Sequence, residues 1–384
     1  MAVFAWSGGT LTAAQRTALT QASTLDLVKN DSTHSGAGSV RWTYSITDSA
    51  LDFLAAGEKL TVTYNVTLDD GHGGTVTQPV TVTVTGTDDA PVITTADPHA
   101  ALTELAGTTD SSSPDSISGT LAFADVDLSE TGHTTAVTNI AASGVTSGLA
   151  GNATLLGFLT TGTVTNAAGS SSGSIPWTFS APDKTFDYLA VGETVTLTYT
   201  VQVTDASNKT GTQTVTVAVT GTDDAPVIVG DSTTPTGSLT EDAQGHGVGR
   251  ERVSGMIAFH DVDLTDHHTV SKSVASFAWW GGTLTAAQLT ALTSASTLTF
   301  VKSDSTGTGA GSVAWTYKVT ESAITFLAVG ETLTVTYTVT VDDGHGGTAS
   351  QLVTVTIAGT NDAPTIVNRL DHGDGLAHRG CPGP

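Results

Sequence analysis

Cysteine is all but missing from this chain. The single Cys381 stands in a C-terminal stretch unlike the rest, so neither a disulfide framework nor a cysteine-based metal site can be built. If the protein works outside the cell, something other than disulfides must stiffen it. Basic residues are scarce too: 13 Lys and Arg stand against 37 Asp and Glu, a formal net charge of −24. Such a chain repels phosphates rather than neutralising them, which argues against a nucleic-acid partner. Apolar runs stay short of the ~18 residues a membrane helix needs, so no membrane span is expected. Met1–Thr10 also lacks the basic start and apolar core of a secretory signal. That leaves a cytosolic chain, one exported by a C-terminal signal lying elsewhere, or a segment of a larger protein.

What is present is a repeat. An alternating Val/Thr run followed by a Gly-Thr-acid-acid-Ala-Pro stop is written three times: TVTVTGTDDAPVI at Thr81–Ile93, TVTVAVTGTDDAPVI at Thr214–Ile228 and VTVTIAGTNDAPTI at Val353–Ile366. The marker glycines Gly86, Gly221 and Gly359 lie a whole domain apart, far beyond a solenoid unit of roughly 20–50 residues. Residues 3–93 and 276–366 align without a gap. The opening half of a repeat occurs twice, at Leu102–Leu128 and Leu239–Leu264, and has no copy before residue 3. The expected domains are therefore 1–93 as an N-terminally truncated repeat, 94–228 and 229–367 as complete repeats, and 368–384 as a disordered tail. The first repeat, lacking those opening strands, is expected to expose a sheet edge and to be the least stable.

The strands can be read directly. In Leu60–Leu68, Val62, Tyr64, Val66 and Leu68 share one face and Thr61, Thr63, Asn65 and Thr67 the other. Period two with β-branched residues means a half-buried antiparallel strand. Val195–Val203 and Leu333–Val341 repeat it, and each is followed by a Gly/Asp/Asn turn and a second alternating run, a hairpin. Thr12-Ala-Ala-Gln15 is a capping box opening a helix to about Ala22, and Ser49–Ala56 reads as one or two helical turns stopped by Gly57. Many short strands with Gly-rich turns indicate an all-β sandwich with short helical insertions.

The run FLAAGEKLTVTYNVTLDDGHGGTVTQPVTVTVTGTDDAPVI (Phe53–Ile93), with its counterparts at Tyr188–Ile228 and Phe326–Ile366, resembles the VCBS repeat of large RTX-type bacterial surface adhesins. The resemblance covers residues 1–367. It implies tandem immunoglobulin/cadherin-like β-sandwich domains that space out very long adhesins, are not catalysts, and are exported by a type I system to the extracellular or bacterial surface. Gly-Gly-x-Gly-x-Asp secretion repeats are absent from these residues, so export and adhesion are implied for a parent protein only.

The acids gather at repeat ends: the linker pairs Asp88/Asp89 and Asp223/Asp224, the Asp-x-Asp motifs Asp125/Asp127 and Asp261/Asp263, and the hairpin turns Asp205 and Asp342/Asp343. Glu104 and Glu241 lie near repeat starts. Ca²⁺ takes six to eight hard oxygens and favours carboxylates. The plainer reading is that the acids cap turns or keep a Thr-rich surface soluble. By resemblance to cadherins, Asp88, Asp89, Asp125, Asp127 and Asp205 would bind Ca²⁺ at the first junction. Asp223, Asp224, Asp261, Asp263 and Asp342 or Asp343 would do so at the second, with Glu104 a further candidate there. The partners of each repeat are then its neighbours in the chain.

Other motifs carry less. His72 and His345 sit singly in turns, and His267-His268 is read as solvated rather than zinc-binding. Asp125–His133 starts like an EF-hand loop but has Glu130 where glycine is required. Gly169–Gly173 and Gly245–Gly249 lack the context of a nucleophile elbow or a phosphate loop. The tryptophans are expected mostly in the core. Trp279-Trp280 is the exception, because adjacent strand positions cannot both point inward. An exposed indole there would suit a surface glycan. The sequence thus points to a calcium-stiffened extender holding an adhesive tip, for cell adhesion or biofilm formation. The alternative is a carbohydrate-binding module using Trp279/Trp280 and the divergent loops. Nothing assembles a catalytic site.

Overall fold

The computed structural model describes residues 1–242 and 249–363. The tail expected at 368–384 and the glycine motif beginning at Gly245 lie outside the described residues. The chain is all-β, with short helical insertions. It forms two compact units, one of Met1–Asp224 with Val262–Thr265, the other of Ala225–Asp261 with Asp266 onward.

The first unit carries the first two repeats. The second repeat is a sandwich of two sheets. In one, the order is Leu159–Thr161, Ser172–Pro182, Pro114–Ala124, Val92–Ile93, with Thr165–Asn166 also on Ser172–Pro182. In the other it is His99–Thr103, Thr210–Thr220, Thr194–Thr204, Thr134–Gly144. All pairings are antiparallel except that His99–Thr103 runs parallel to Thr210–Thr220. The alternation read from the sequence is the burial pattern: Val195, Leu197, Tyr199, Val201 and Val203 are fully buried, and they pack with Leu121, Phe123, Ile175 and Phe179 from the facing sheet. The Thr residues between them face outward, which is what a half-buried strand requires.

The first repeat has fewer strands. Val3–Trp6, Lys59–Asp69 and Thr75–Thr85 form a three-stranded sheet, and Ser23–Asn30 pairs only with Ser39–Ile46. Its core is a small cluster of Phe4, Leu11, Leu19, Leu54, Leu60 and Val62. The capping box at Thr12/Gln15 is present, with both reciprocal hydrogen bonds, and opens the helix Ala13–Ala22. The segment read as helical from Ser49 is shorter than expected, a single 3₁₀ turn at Asp48–Ala50. Gly57 nonetheless adopts a positive φ of 77° beyond it.

The second unit repeats the sandwich with Val227–Ile228, Arg250–His260, Ala310–Thr320 and Thr297–Ser303 in one sheet. Thr236–Thr240, Thr348–Ala358, Thr332–Asp342 and Thr269–Lys272 form the other, and Ser276–Trp280 pairs with Thr332–Asp342. The marker glycines have a steric reason. A Cβ on Gly86, Gly221 or Gly359 would meet the carbonyl oxygen of Leu54, Leu189 or Ala328 at 2.3, 2.1 and 2.5 Å, so no larger residue fits where the last strand passes the 3₁₀ segment.

Of the tryptophans, Trp177 and Trp315 are buried as expected. Trp42, at the same place in the first repeat, is 48% exposed, because no strand among the described residues covers it. Trp279 is half-buried and donates to Glu331 at 3.1 Å, while Trp280 is 75% exposed.

Candidate metal centre

The first linker, residues 86–91, leaves the strand Thr75–Thr85 without joining a sheet, so its side chains and N–H groups are available to neighbours. The Asp89 N–H donates to Asp127 Oδ2 at 2.9 Å, which ties the linker to the Asp-x-Asp motif following Pro114–Ala124. That motif is folded on itself: the Asp127 N–H donates to Asp125 Oδ1 at 3.0 Å. Asp125 Oδ2 is hydrogen-bonded to His133 Nε2 at 2.8 Å, and His133 Nδ1 meets Asn166 at 3.0 Å. Glu130 accepts from the Ser207 hydroxyl, and Asp205 Oδ1 accepts from the N–H groups of Ser207 and Lys209. The EF-hand-like run therefore does form part of an acidic centre, with Glu130 pointing into it rather than spoiling it.

Among the described residues, five carboxylate oxygens remain buried here with no hydrogen-bond partner: both of Asp88, and Asp127 Oδ1, Glu130 Oε2 and Asp205 Oδ2. Asp88, Asp127 and Glu130 each offer an oxygen within 4.8 Å of the others. Burial pushes the Asp127 carboxyl up to about 6, and the charges of Asp125, Asp89 and Glu130 add to it. Asp89 is raised by burial and then by Asp52, Asp125, Asp88 and Asp48. Glu130 is raised by burial, and by Asp205, Asp88 and Asp125. Uncompensated buried oxygens of one charge are costly. The set of Asp88, Asp127 and Glu130 is hard and strongly negative, which fits Ca²⁺, while a ring nitrogen of His133 groups with Asp125 and Glu130 beside it.

The far end of the second repeat holds a related group. Glu104, 4% exposed, accepts from the Thr222 N–H at 2.6 Å, immediately before Asp223. Its Oε2 has no hydrogen-bond partner among the described residues, and burial pushes the carboxyl up to about 8, with Asp224 and Asp187 contributing. Asp183 accepts from the N–H of Leu105 at 2.8 Å and Asp187 from that of Asp110 at 2.7 Å. The Asp224 N–H donates to Asp263 Oδ2 at 2.9 Å, the same bond as Asp89 to Asp127 one repeat earlier.

In the second unit, Asp261 Oδ2 is 2.7 Å from His268 Nε2, and His268 Nδ1 is 2.9 Å from Asp304. His268 is therefore buried, contrary to the solvated reading, while His267 stays exposed. Asp266, Asp343 and His345 each offer an atom within 4.8 Å of the others. Asp343 Oδ1 accepts from three turn N–H groups, and Asp342 caps Gly344 in the same turn. Glu241 accepts from the Thr360 N–H and Glu321 from that of Asp242. Burial pushes Glu241 up to about 7.

Sequence reasoning missed Glu130, Asp183, Asp187, Asp48, Asp52 and Glu321. A signal existed: an acid opens the 3₁₀ turn in all three repeats, at Asp48, Asp183 and Glu321, and a second follows four residues on at Asp52 and Asp187.

No family model matches this chain, and no curated protein does. The resemblance to the VCBS repeat is therefore unsupported by a family match. Among solved structures it is similar to protocadherin gamma B2 extracellular cadherin domains 1–5, at 12% identity over 87% of this chain and 51% of that one, TM-score 0.36. It is also similar to mouse protocadherin-24 EC1–3, at 16% identity over 88% and 90%, TM-score 0.31. A third is mouse cadherin-23 EC22–24, at 15% identity over 89% and 86%, TM-score 0.28. The chain spans about half the length of the protocadherin gamma B2 structure (51%). At such scores no function transfers, and the tandem all-β architecture rests on the strand registers above.

Proposed function

We propose that this chain is a non-catalytic segment of tandem β-sandwich domains, divided near 93 and 228, that acts as a calcium-stiffened extender in a bacterial surface adhesin. The reading places it outside the cell, exported as part of a longer protein by a type I route, with neighbouring repeats as its partners. The observation that carries it is the set of buried, partnerless carboxylate oxygens of Asp88, Asp127, Glu130 and Asp205 around the first linker.

In the mechanism, Asp88 and Asp89 belong to the linker, Asp125, Asp127, Glu130 and Asp205 to the second repeat, and Asp48 and Asp52 to the first. Ca²⁺, when bound, supplies the positive charge these oxygens lack. Without it the carboxylates repel one another, and the Asp89–Asp127 hydrogen bond ties the linker to the second repeat against that repulsion. With the repulsion cancelled, linker and second repeat behave as one piece. Extracellular calcium modules bind at about 10⁻⁴–10⁻³ M, so external calcium suffices and cytosolic calcium does not. By recurrence of the sequence, Asp223, Asp224, Asp261, Asp263 and Asp342 or Asp343 are proposed for the same task, with Glu104. Small-angle scattering of the chain in 5 mM CaCl₂ (~5 times the weak end of that range) and in excess chelator tests this. A longer maximum dimension in calcium, lost on Asp88→Ala/Asp89→Ala, is expected. Superimposable profiles would sink it.

A second reading is favoured by the exposure of Trp280 beside the half-buried Trp279. A flat indole facing solvent suits stacking on a sugar ring. Glycan-array binding that disappears in Trp280→Ala would support it, and an array without hits would remove it.

A further inference from the structure

The second and third repeats build one hairpin turn on the same plan. Thr194–Thr204 passes to Thr210–Thr220 through Asp205, and Thr332–Asp342 passes to Thr348–Ala358 through Asp343. In each turn the aspartate Oδ1 gathers local N–H groups: those of Ser207 and Lys209 on Asp205, and those of His345, Gly346 and Gly347 on Asp343. In each, an acid that follows the Asp-x-Asp motif meets the side chain two places further along the turn. In the second repeat the pair is Glu130 and the Ser207 hydroxyl, at 3.0 Å. In the third it is Asp266 Oδ2 and His345 Nδ1, at 3.2 Å. A ring nitrogen stands where the second repeat has a hydroxyl.

Asp266 and Asp343 are each 2% exposed, and an oxygen of each lies within 4.8 Å of a ring nitrogen of His345. With Oδ1 of Asp343 committed to the turn, its Oδ2 is buried and has no hydrogen-bond partner among the described residues. Room is kept for that oxygen, since a Cβ on Gly347 would come within 2.0 Å of it. Gly344 and Gly346 fix the turn at φ of 89° and 125°, which other residues rarely adopt. The His345 side chain is 44% exposed, so an ion can enter from solvent. His133 in the second repeat differs: it is enclosed, and its two ring nitrogens are engaged by Asp125 and Asn166. Tetrahedral zinc, with N and O ligands at about 2.0–2.2 Å, sets two ligand atoms ~3.4 Å apart. His345 Nδ1 and Asp266 Oδ2 are already close to that separation.

We propose that Asp266, Asp343 and His345 form a zinc site, different in selectivity from the carboxylate set of Asp88, Asp127 and Glu130. The two buried carboxylates supply charge. The imidazole supplies a nitrogen, which suits zinc, whereas calcium takes oxygen. The open side leaves a position for water. The site shares Asp343 with the calcium reading but does not rest on it.

The test is calorimetric titration of the whole, metal-stripped chain with ZnCl₂. His345→Ser, which puts the second repeat's hydroxyl on this turn, and Asp266→Asn should each weaken one zinc-binding event at least about tenfold. His72→Ala, on the matching turn of the first repeat, should leave that event unchanged. Co²⁺ in place of zinc should give a visible absorption band that His345→Ser alters. His345→Cys should recover zinc binding through a thiolate, which a folding defect would not permit. Asp88→Ala/Asp89→Ala should abolish the calcium response and leave zinc binding intact, so failure of either reading shows separately. No zinc uptake by the wild type, or equal zinc affinity in His345→Ser, overturns the proposal.

Discussion

Replacing Asp127 by asparagine separates a calcium ligand from an ordinary structural acceptor, because the two roles predict opposite signs. Asp127 is 1% exposed, with Oδ2 bonded to the Asp89 N–H and Oδ1 without a partner. Its carboxyl is held at about 6 instead of 3.8. At ~1.4 kcal/mol per pH unit the ionised form then carries a penalty of about 3 kcal/mol at pH 8. Asparagine keeps the acceptor for Asp89 and removes the charge, so in chelator at pH 8 Asp127→Asn should raise stability by about 1–2 kcal/mol, the remainder being desolvation that the amide shares. Calcium must act the other way round. At 5 mM, with Kd of about 10⁻⁴–10⁻³ M, one ion stabilises the wild type by about 1–2.3 kcal/mol. For a unit of this size that is a Tm increase of about 2–9 °C. Asp127→Asn should abolish most of it. Because the native carboxyl binds its proton more tightly than the unfolded one, the metal-free wild type should also gain stability as pH falls from 8 to 5, and the variant should gain less, Glu104 and Asp115 still responding. Differential scanning calorimetry at pH 5 and 8, with calcium and with chelator, reads all three. A variant less stable in chelator, with an undiminished calcium response, would refute the reasoning.

Glu104→Gln should flatten the loss of metal-free stability that the wild type shows as pH rises from about 5 to 8, since burial holds native Glu104 at about 8 while the unfolded carboxyl ionises near 4.5; thermal melts across that range check it. Gly221→Ala should cost about 1–3 kcal/mol, because its Cβ would meet the Leu189 carbonyl oxygen at 2.1 Å, and urea unfolding measures it. Trp315→Ala should cost about 3–5 kcal/mol and Trp280→Ala less than about 0.5, a contrast set by exposures of 0% and 75% and read by the same unfolding curves.

Strands and caps were legible because their rules are local. Val62, Leu197 and Leu333 face inward wherever Thr alternates with an apolar residue, and Thr12 and Gln15 are three positions apart whatever surrounds them. The acidic centre was legible only in part. Asp88, Asp89, Asp125 and Asp127 repeat as pairs, but Glu130 and Asp205 come together through two different loops, and Asp48 and Asp52 through the first repeat's 3₁₀ segment. His268 was misjudged for a related reason. Period-two reasoning applies to strands, whereas His268 precedes Thr269–Lys272 in irregular chain, so its ring is free to turn inward onto Asp261 and Asp304. Trp42 shows the converse. Its identity and neighbours match Trp315, and only the covering strand, far away in sequence, decides whether it is core.

The distribution of positive charge gives the calcium reading a further consequence. The lysine ion pairs Lys29–Asp31 and Lys302–Asp304 lie beside the paired strands, not at the linkers. Glu130 and Asp205 meet hydroxyl and peptide N–H groups, and Asp127 a peptide N–H, and these dipoles leave a net charge uncancelled. On the proposed reading the compensating charge comes from a bound cation. Diffuse screening cannot deliver it, because the Debye length acts on exposed charges and these oxygens are buried. Raising NaCl from about 0.15 to 0.5 M in chelator, which shortens that length from ~8 Å toward 3 Å, should therefore recover little of the Tm gained from millimolar calcium. If salt alone restored the full increase, the acids would be ordinary surface repulsion and the centre would need no specific ion.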